Sequence, residues 1–126
     1  MSKQQLVTEF MLMAKQPVRT IPTFLDAREA FERMRLIGEE TAELATAFYA
    51  RDMIEIADAL ADLLYVVYGT AVSCGINIDP IFQEVHRSNM TKKGGHLNHH
   101  GKFVKPATYE PPKILEILEK QNGERL

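Results

Sequence analysis

The feature that most constrains the fold of this 126-residue chain is the segment 59–74, which is apolar on nearly every side when it is wound as a helix. Its sequence is ALADLLYVVYGTAVSC. A helix that is apolar all round has to be covered all round. Four or five helices from a chain of this size supply too little cover. We therefore predict that self-association, as a homodimer or a dimer of dimers, completes the core.

Helix-start signals divide the rest of the chain into helices. Residues 26–29 combine an N-cap aspartate with a capping-box glutamate, which predicts a helix to about Ala50. Residues 52–55 repeat this pattern and open the apolar helix, which Gly75 is placed to end. Further helices are predicted over residues 4–15, from Asp79-Pro80 (with Pro80 at the first helical position) to about Met90, and from Lys113 to Gln121, ended by Asn122-Gly123.

Helical periodicity disappears between residues 91 and 110, where glycines and a proline interrupt the chain. We predict an ordered but irregular arm here, with room for a short hairpin. The segment 85–109 contains no acidic residue, and its basic side chains are Arg87, Lys92, Lys93, Lys102 and Lys105. The predicted fold class is therefore all-α: a four- to five-helix bundle with an irregular basic arm at 91–110, in a single domain over residues 1–126.

Composition and charge limit the cellular setting. A formal net charge of −2 and a pI near 6.1 argue against a dedicated nucleic-acid binder. The single cysteine, Cys74, cannot form an internal disulfide, so a reducing compartment is expected. The first residues lack the apolar run of a signal peptide, and we expect no run of about 18 apolar residues that could span a membrane. We therefore expect a cytoplasmic protein without membrane or nucleic-acid partners.

Acidic residues crowd two consecutive predicted helices. They fall on one side of each helix by their spacing, and they are Glu39, Glu40 and Glu43 on the first helix and Glu55, Asp58 and Asp62 on the second. Because only Arg51-Asp52 separates the two helices, the helices should be antiparallel neighbours. The two acidic faces can therefore point at each other.

Solvated surface charge is the alternative interpretation, and it fits these residues unequally. Glu39 suits a solvated position, and Glu55 stands where a capping box places its glutamate. Asp62, in contrast, lies inside the apolar run Ala59–Leu64. An unpaired buried carboxylate is costly enough either to take up a proton or to require a cation. Asp62 is therefore the strongest single indication of a metal site.

The residue types also indicate which metal and which chemistry. Carboxylates without histidine or thiolate suit Mg²⁺, with Mn²⁺ as the alternative, whereas a di-iron site would need Glu-x-x-His pairs. Acidic metal ligands together with a cationic segment suit phosphoryl chemistry, in which metals bridge phosphate oxygens and lysines neutralise the rest. The alternative for the cationic segment is a merely basic surface loop.

Three stretches resemble the MazG-like and phosphoribosyl-ATP pyrophosphohydrolase-like all-α nucleotide pyrophosphatases. They are residues 36–44 (LIGEETAEL), 56–69 (IADALADLLYVVYG) and 84–92 (EVHRSNMTK), and the resemblance runs from about Leu6 to Pro112. It implies a helical homodimer or tetramer that cleaves nucleoside triphosphates between the α- and β-phosphates to a nucleoside monophosphate and pyrophosphate.

The resemblance also implies roles for the acidic residues. Glu40 and Glu43 would be metal ligands, and Glu39 would be a further ligand or the group that orients the attacking water. Asp62 matches the last aspartate of the family's E-x-x-D, but the residue three before it is Ala59 instead of glutamate.

Two alternatives follow for the second helix. Asp58 shares a helix face with Asp62 and is expected to substitute for the missing glutamate, or else Glu55-x-x-Asp58 is the working pair. By the same resemblance, Asn89 and Lys92 would hold the nucleotide's sugar and phosphates. The remaining basic residues proposed to contact the substrate are Arg87, Lys102 and Lys105.

Two rival functions stay open at this point. A sibling enzyme acting on phosphoribosyl-ATP would share the metal site and differ in its base and ribose contacts. A catalytically silent helical dimer that binds nucleotide or metal is the second rival, and Ala59 motivates it.

Overall fold

The computed structural model describes residues 1–122, which are mainly α-helical, so the all-α prediction is confirmed. The described elements are α1 (Lys3–Met13), α2 (Ala27–Ala50), α3 (Met53–Cys74), α4 (Ile78–Met90), β1 (His96–Leu97), β2 (Phe103–Val104) and α5 (Leu115–Gln121). The chain divides into two compact units, Met1–Asn77 and the remainder from Ile78.

Local side-chain capping sets the junction between α2 and α3. The Asp26 carboxylate accepts the Glu29 amide at 2.8 Å and starts α2, as predicted. Arg51 ends α2 in the left-handed region with φ 55°, and Asp52 then accepts the Glu55 amide at 3.2 Å to start α3. Because Arg51 and Asp52 alone connect the two helices, α2 and α3 pack as antiparallel neighbours.

Gly75 ends α3 for a steric reason as well as a conformational one. Its φ is +72°, and a Cβ placed there would lie 2.1 Å from the carbonyl oxygen of Ile21. The linker between α1 and α2 runs against this end of α3, where the Thr23 amide donates to the Cys74 carbonyl at 2.8 Å. The first unit's small core consists of Val7, Met11 and Val72, and Val18 of this linker and Tyr68 pack against it.

Helix α3 keeps much of its apolar surface exposed in the single chain. Large exposed side chains include Leu60, Leu64, Tyr65 and Val67. By length and composition, α3 is also long and apolar enough to cross a membrane, so the expectation that no such segment exists is wrong. The core helix of a soluble protein passes the same test, so this property by itself assigns no membrane role. The predicted self-association would cover the same apolar face.

Three helices differ in extent from the prediction. Helix α1 ends at Met13, two residues early. Helix α4 begins at Ile78, so Pro80 is its third residue. The first four backbone N–H groups of a helix have no partner within it, so the missing N–H of Pro80 removes no hydrogen bond from the helix. Helix α5 begins at Leu115, two residues later than predicted, and the Lys113 amide before it donates to a Glu84 carboxylate oxygen at 2.6 Å. The Gly123 part of its predicted end lies outside the described residues.

The predicted irregular arm contains a short antiparallel hairpin, in which His96 pairs with Val104 and Leu97 pairs with Phe103. Its turn is closed by the Asn98 side chain. Within the second unit the arm is attached to α4, because the Ser88 hydroxyl donates to the Glu110 carbonyl at 2.7 Å.

Candidate metal and nucleotide site

Three carboxylates from α2 and α3 meet across the helix interface. Glu40 and Glu43 lie one turn apart on α2, and Asp62 lies opposite them on α3. One oxygen from each of the three lies within 4.8 Å of the others. Glu40 and Asp62 are half-buried, whereas Glu43 is exposed. The structure therefore brings together three of the predicted metal ligands, and we call these residues the carboxylate trio.

The carboxylate trio holds negative charge at a cost. Burial, followed by the charges of Glu43 and Asp62, raises the pKa of the Glu40 carboxyl. Burial, followed by the charge of Asp58, raises the pKa of the Asp62 carboxyl. In addition, Oε2 of Glu40 is buried and has no hydrogen-bond partner within residues 1–122. An unpaired oxygen among crowded carboxylates is the environment that a hard divalent cation satisfies, so these residues fit Mg²⁺.

The other predicted acidic residues lie around the carboxylate trio in different roles. Asp58 lies one helical turn before Asp62 on α3, and its charge adds to burial in raising the pKa of the Asp62 carboxyl. Glu55 and Asp58 line a cavity of about 330 Å³ that also borders Glu43. Glu39 is exposed and forms an ion pair with Arg35, with 2.6 Å between Oε1 and Nη1. Asp58 therefore lies closer to the role of a supporting ligand than Glu55 or Glu39 does.

Ala59 lines the same cavity and is 4% exposed. The family resemblance places a glutamate here, and the chain presents a methyl group instead. The remaining acidic groups on the cavity wall, Asp52, Glu55 and Asp58, come from the first turns of α3 and its cap. The open volume beside Glu43 therefore has room for a water molecule or for an oxygen atom of a bound ligand, in the space that a glutamate at position 59 would fill.

The basic residues of the second unit are largely engaged with their neighbours. Arg87 forms two contacts with Glu84, at 2.8 and 2.9 Å, and a third with Glu110 at 3.0 Å. Lys92 donates to the Asn89 side chain at 2.9 Å, so these two predicted nucleotide contacts lie together. Arg87 therefore ties the arm to α4, which sequence patterns did not predict.

Two lysines of the arm are less constrained. Lys105 lies over the ring of Tyr109, with 4.5 Å between Nζ and the ring centroid. The ammonium group of Lys102 makes no hydrogen bond or ion pair within the described part of the chain. Lys92 is also near the Tyr109 ring, at 5.8 Å. Tyr109 therefore organises two of the predicted phosphate contacts.

A charged residue that the prediction missed also lies between α2 and α3. Arg33 is half-buried, and its Nη2 donates to the Val66 carbonyl at 2.9 Å. The available signal was its position seven residues before Glu40, which puts both side chains on the same face of α2.

Comparison with known proteins agrees with this architecture. The phosphoribosyl-ATP pyrophosphohydrolase family model matches residues 7–89, which include the carboxylate trio but not the arm. An uncharacterized protein of Acanthamoeba polyphaga mimivirus is 49% identical over 47 residues, which make up 37% of this chain and 19% of that protein. The match thus spans about a fifth of the length of this relative. Because the family model covers well over half of the chain, the protein belongs to the phosphoribosyl-ATP pyrophosphohydrolase family, within the MazG-like all-α superfamily.

Proposed function

We propose that the protein is a Mg²⁺-dependent nucleoside triphosphate pyrophosphohydrolase, with Mn²⁺ as an alternative ion. It would cleave the bond between the α- and β-phosphates and release a nucleoside monophosphate and pyrophosphate. The observation that carries this proposal is the carboxylate trio, with its three oxygens within 4.8 Å and the buried, unpaired Oε2 of Glu40. A divalent cation bound there would supply an activated water and neutralise charge on the departing pyrophosphate.

The residues of the first unit divide into ligands and supporting groups. Glu40, Glu43 and Asp62 would hold the ion, and Asp58, one turn before Asp62 and close enough for its charge to raise the pKa of that carboxyl, would support them. Direct ligation by Asp58, or by Glu55 in its place, is the arrangement in which these residues replace the glutamate missing at Ala59.

Glu39 is proposed to orient the attacking water. Its carboxylate is paired with Arg35 and exposed, so this role requires the ion pair to open or to share the carboxylate with water. An exposed ion pair is weak enough for this exchange.

The substrate contacts in the second unit remain the predicted ones. Asn89 and Lys92 would hold the sugar and phosphates, and Lys102 and Lys105 would add positive charge. Arg87 would act mainly through its bonds to Glu84 and Glu110, which keep the arm in place.

Self-association is part of the proposal because α3 leaves large apolar side chains exposed. A homodimer or a dimer of dimers would cover them. Sedimentation at micromolar concentration should therefore show no folded, active species of 14.3 kDa, and such a species would contradict the proposal. We also propose a cytoplasmic location, since the chain has one cysteine, and no nucleic-acid or membrane partner.

Phosphoribosyl-ATP is the second candidate substrate, because the matching family bears its name. A pyrophosphate-release assay across NTPs, dNTPs and phosphoribosyl-ATP, with Mg²⁺, Mn²⁺ or excess chelator, tests both proposals. We expect release from nucleoside triphosphates that depends on the divalent ion. Release from phosphoribosyl-ATP alone would favour the second candidate. Binding without release from any substrate would favour the silent helical dimer and contradict our proposal.

A further inference from the structure

Arg33 stands out because its charge is partly buried without a matching carboxylate. Its Nε donates to the Thr70 hydroxyl at 3.1 Å and its Nη2 donates to the Val66 carbonyl at 2.9 Å. Within residues 1–122, Arg33 has no ion pair, and its Nη1 makes no hydrogen bond. Three of the five guanidinium N–H groups thus remain available to a ligand.

Helix α3 makes room for this guanidinium at Gly69. A Cβ at Gly69 would lie 2.4 Å from Nη2 of Arg33, so any other residue would displace the side chain. Glycine in a helix interior is destabilising relative to alanine. Gly69 therefore makes α3 less stable than alanine would at this position, and it leaves the space that the Arg33 side chain occupies.

Two cavities border Arg33. One, of about 150 Å³, has Phe10, Leu36 and Tyr65 in its walls, and the other, of about 250 Å³, includes Gln16. The rings of Phe10 and Tyr65 lie 5.8 Å apart, edge to face. Apolar and aromatic walls around a few free polar donors are typical of a pocket for a flat heterocycle with acceptor atoms on its edge.

The position of Arg33 relative to the carboxylate trio suits the two ends of one nucleotide. Arg33 and Glu40 are seven residues apart on one face of α2, which is roughly 10 Å along the helix axis. A nucleoside triphosphate whose phosphates lie at the carboxylate trio can extend its base over this distance along the α2–α3 interface.

We propose that Arg33 selects the base of the substrate by donating two hydrogen bonds to adjacent acceptors on one base edge. Guanine offers O6 and N7, and cytosine offers O2 and N3, whereas adenine and uracil alternate donors with acceptors along each edge. GTP and CTP, or their deoxy forms, are then the substrate class. This inference rests on the proposed pyrophosphohydrolase function, since that function supplies the nucleotide.

The test compares kcat/KM for GTP, CTP, ATP and UTP at fixed Mg²⁺ in four proteins. These are wild type, Arg33→Gln, Gly69→Ala and the matched control Gly38→Ala, in which an added Cβ meets no described atom within 4 Å. We expect wild type to favour GTP or CTP over ATP and UTP by about tenfold to hundredfold. Arg33→Gln and Gly69→Ala should bring all four nucleotides within about threefold, and Gly38→Ala should keep the preference.

The outcomes separate the two acceptor edges and the two proposals. Preference for GTP alone or CTP alone identifies which edge Arg33 reads. Preference for ATP or UTP, equal use of all four by wild type, or a preference that survives Arg33→Gln would each overturn the assignment. If Arg33→Gln does not fold, Arg33→Lys, which keeps the charge but loses the paired donors, replaces it. If no nucleotide is hydrolysed, the proposed function fails, and calorimetry with GMP, CMP, AMP and UMP still tests Arg33.

Discussion

The carboxylate trio and the basic segment of the second unit (residues 85–109) differ in how far their charges are paired. At the carboxylate trio, like charges face one another and Oε2 of Glu40 has no described partner. In the basic segment, Arg87 is neutralised by Glu84 and Glu110. Uncompensated charge in a half-buried place indicates a missing ligand, whereas compensated charge indicates a structural role. A charged side chain therefore indicates a binding site only when it lacks a partner of opposite charge.

The largest effect should come from neutralising the carboxylate trio. Asp62→Asn should abolish Mg²⁺-dependent pyrophosphate release, with a loss of about a thousandfold or more if Asp62 is an ion ligand. Its metal-free stability should be unchanged or higher, because an uncompensated half-buried carboxylate opposes folding. Activity and melting temperature are measured in the same preparation, with the exposed Glu9→Gln as control.

Near-wild-type activity of Asp62→Asn would remove Asp62 from the metal site. A fall in metal-free stability would contradict the view that the carboxylate trio is strained without a cation. Asp58→Asn sharpens the result, because a positioning residue should mainly weaken ion affinity, while a direct ligand should also lower kcat.

Sequence alone predicted the features of these regions that depend on interactions between residues close together in the chain. The starts of α2 and α3 were predicted correctly because Asp26 and Asp52 act on amides two or three residues away. The facing of Glu40 and Asp62 followed from a two-residue connection and helical spacing. These features depend on contacts close in sequence or on one short connection.

Long-range contacts could not be read in this way. The Lys113 amide, just before α5, donates to a Glu84 carboxylate oxygen 29 residues away, and no local pattern indicates this bond. The place of Arg33 depends on Gly69, across the helix interface. Likewise, the ion pair of Arg87 with Glu110 joins residues that are 23 positions apart, so sequence patterns did not indicate it.

The next largest effect is expected in the basic segment. Lys92→Ala should lower kcat/KM by tenfold to hundredfold, since a charge-assisted contact with phosphate contributes about 1.5–3 kcal/mol. Lys102→Ala and Lys105→Ala should have smaller effects, because these residues lie farther along the arm, beyond Gly94, Gly95 and Gly101. The exposed neighbour Lys93→Ala is the control. Measuring kcat/KM at fixed Mg²⁺ separates the variants. Changes below about twofold in all of them would indicate that residues 85–109 form a solvated basic loop without substrate contacts.

A moderate effect is expected on the pH dependence of stability without metal. The raised pKa values of Glu40 and Asp62 mean that the folded state binds protons more tightly than the unfolded state does. Stability should therefore fall as the pH rises through these folded-state pKa values, and Mg²⁺ should restore it at neutral pH. Melting temperatures between pH 4 and 8, with and without Mg²⁺, measure this in wild type and Glu40→Gln. A wild-type slope equal to that of Glu40→Gln would show that Glu40 carries no such cost.

The smallest effect should come from the compensated network. Arg87, followed by the Lys113 amide, lowers the pKa of the Glu84 carboxyl to about 2. A lowered pKa adds stability above the ordinary value near 4.5 that is lost as the pH falls toward 2. Glu84→Ala should therefore lower the melting temperature slightly at pH 7, and the difference from wild type should shrink below pH 4. Hydrogen exchange of the Lys113 amide, which Glu84 accepts at 2.6 Å, should become faster.

The control for this last change is Glu116→Ala, an exposed acid on α5 without an ion pair in the described residues. It should leave both the melting temperature and the exchange of the Lys113 amide unchanged. Kinetic measurements on Glu84→Ala and Asp62→Asn also test the contrast between the paired charges of the basic segment and the unpaired charges of the carboxylate trio. If the arm contacts substrate only because this network holds it, Glu84→Ala should raise KM more than it lowers kcat, whereas Asp62→Asn should act on kcat. Equal effects on both parameters in the two variants would erase the distinction between paired and unpaired charge.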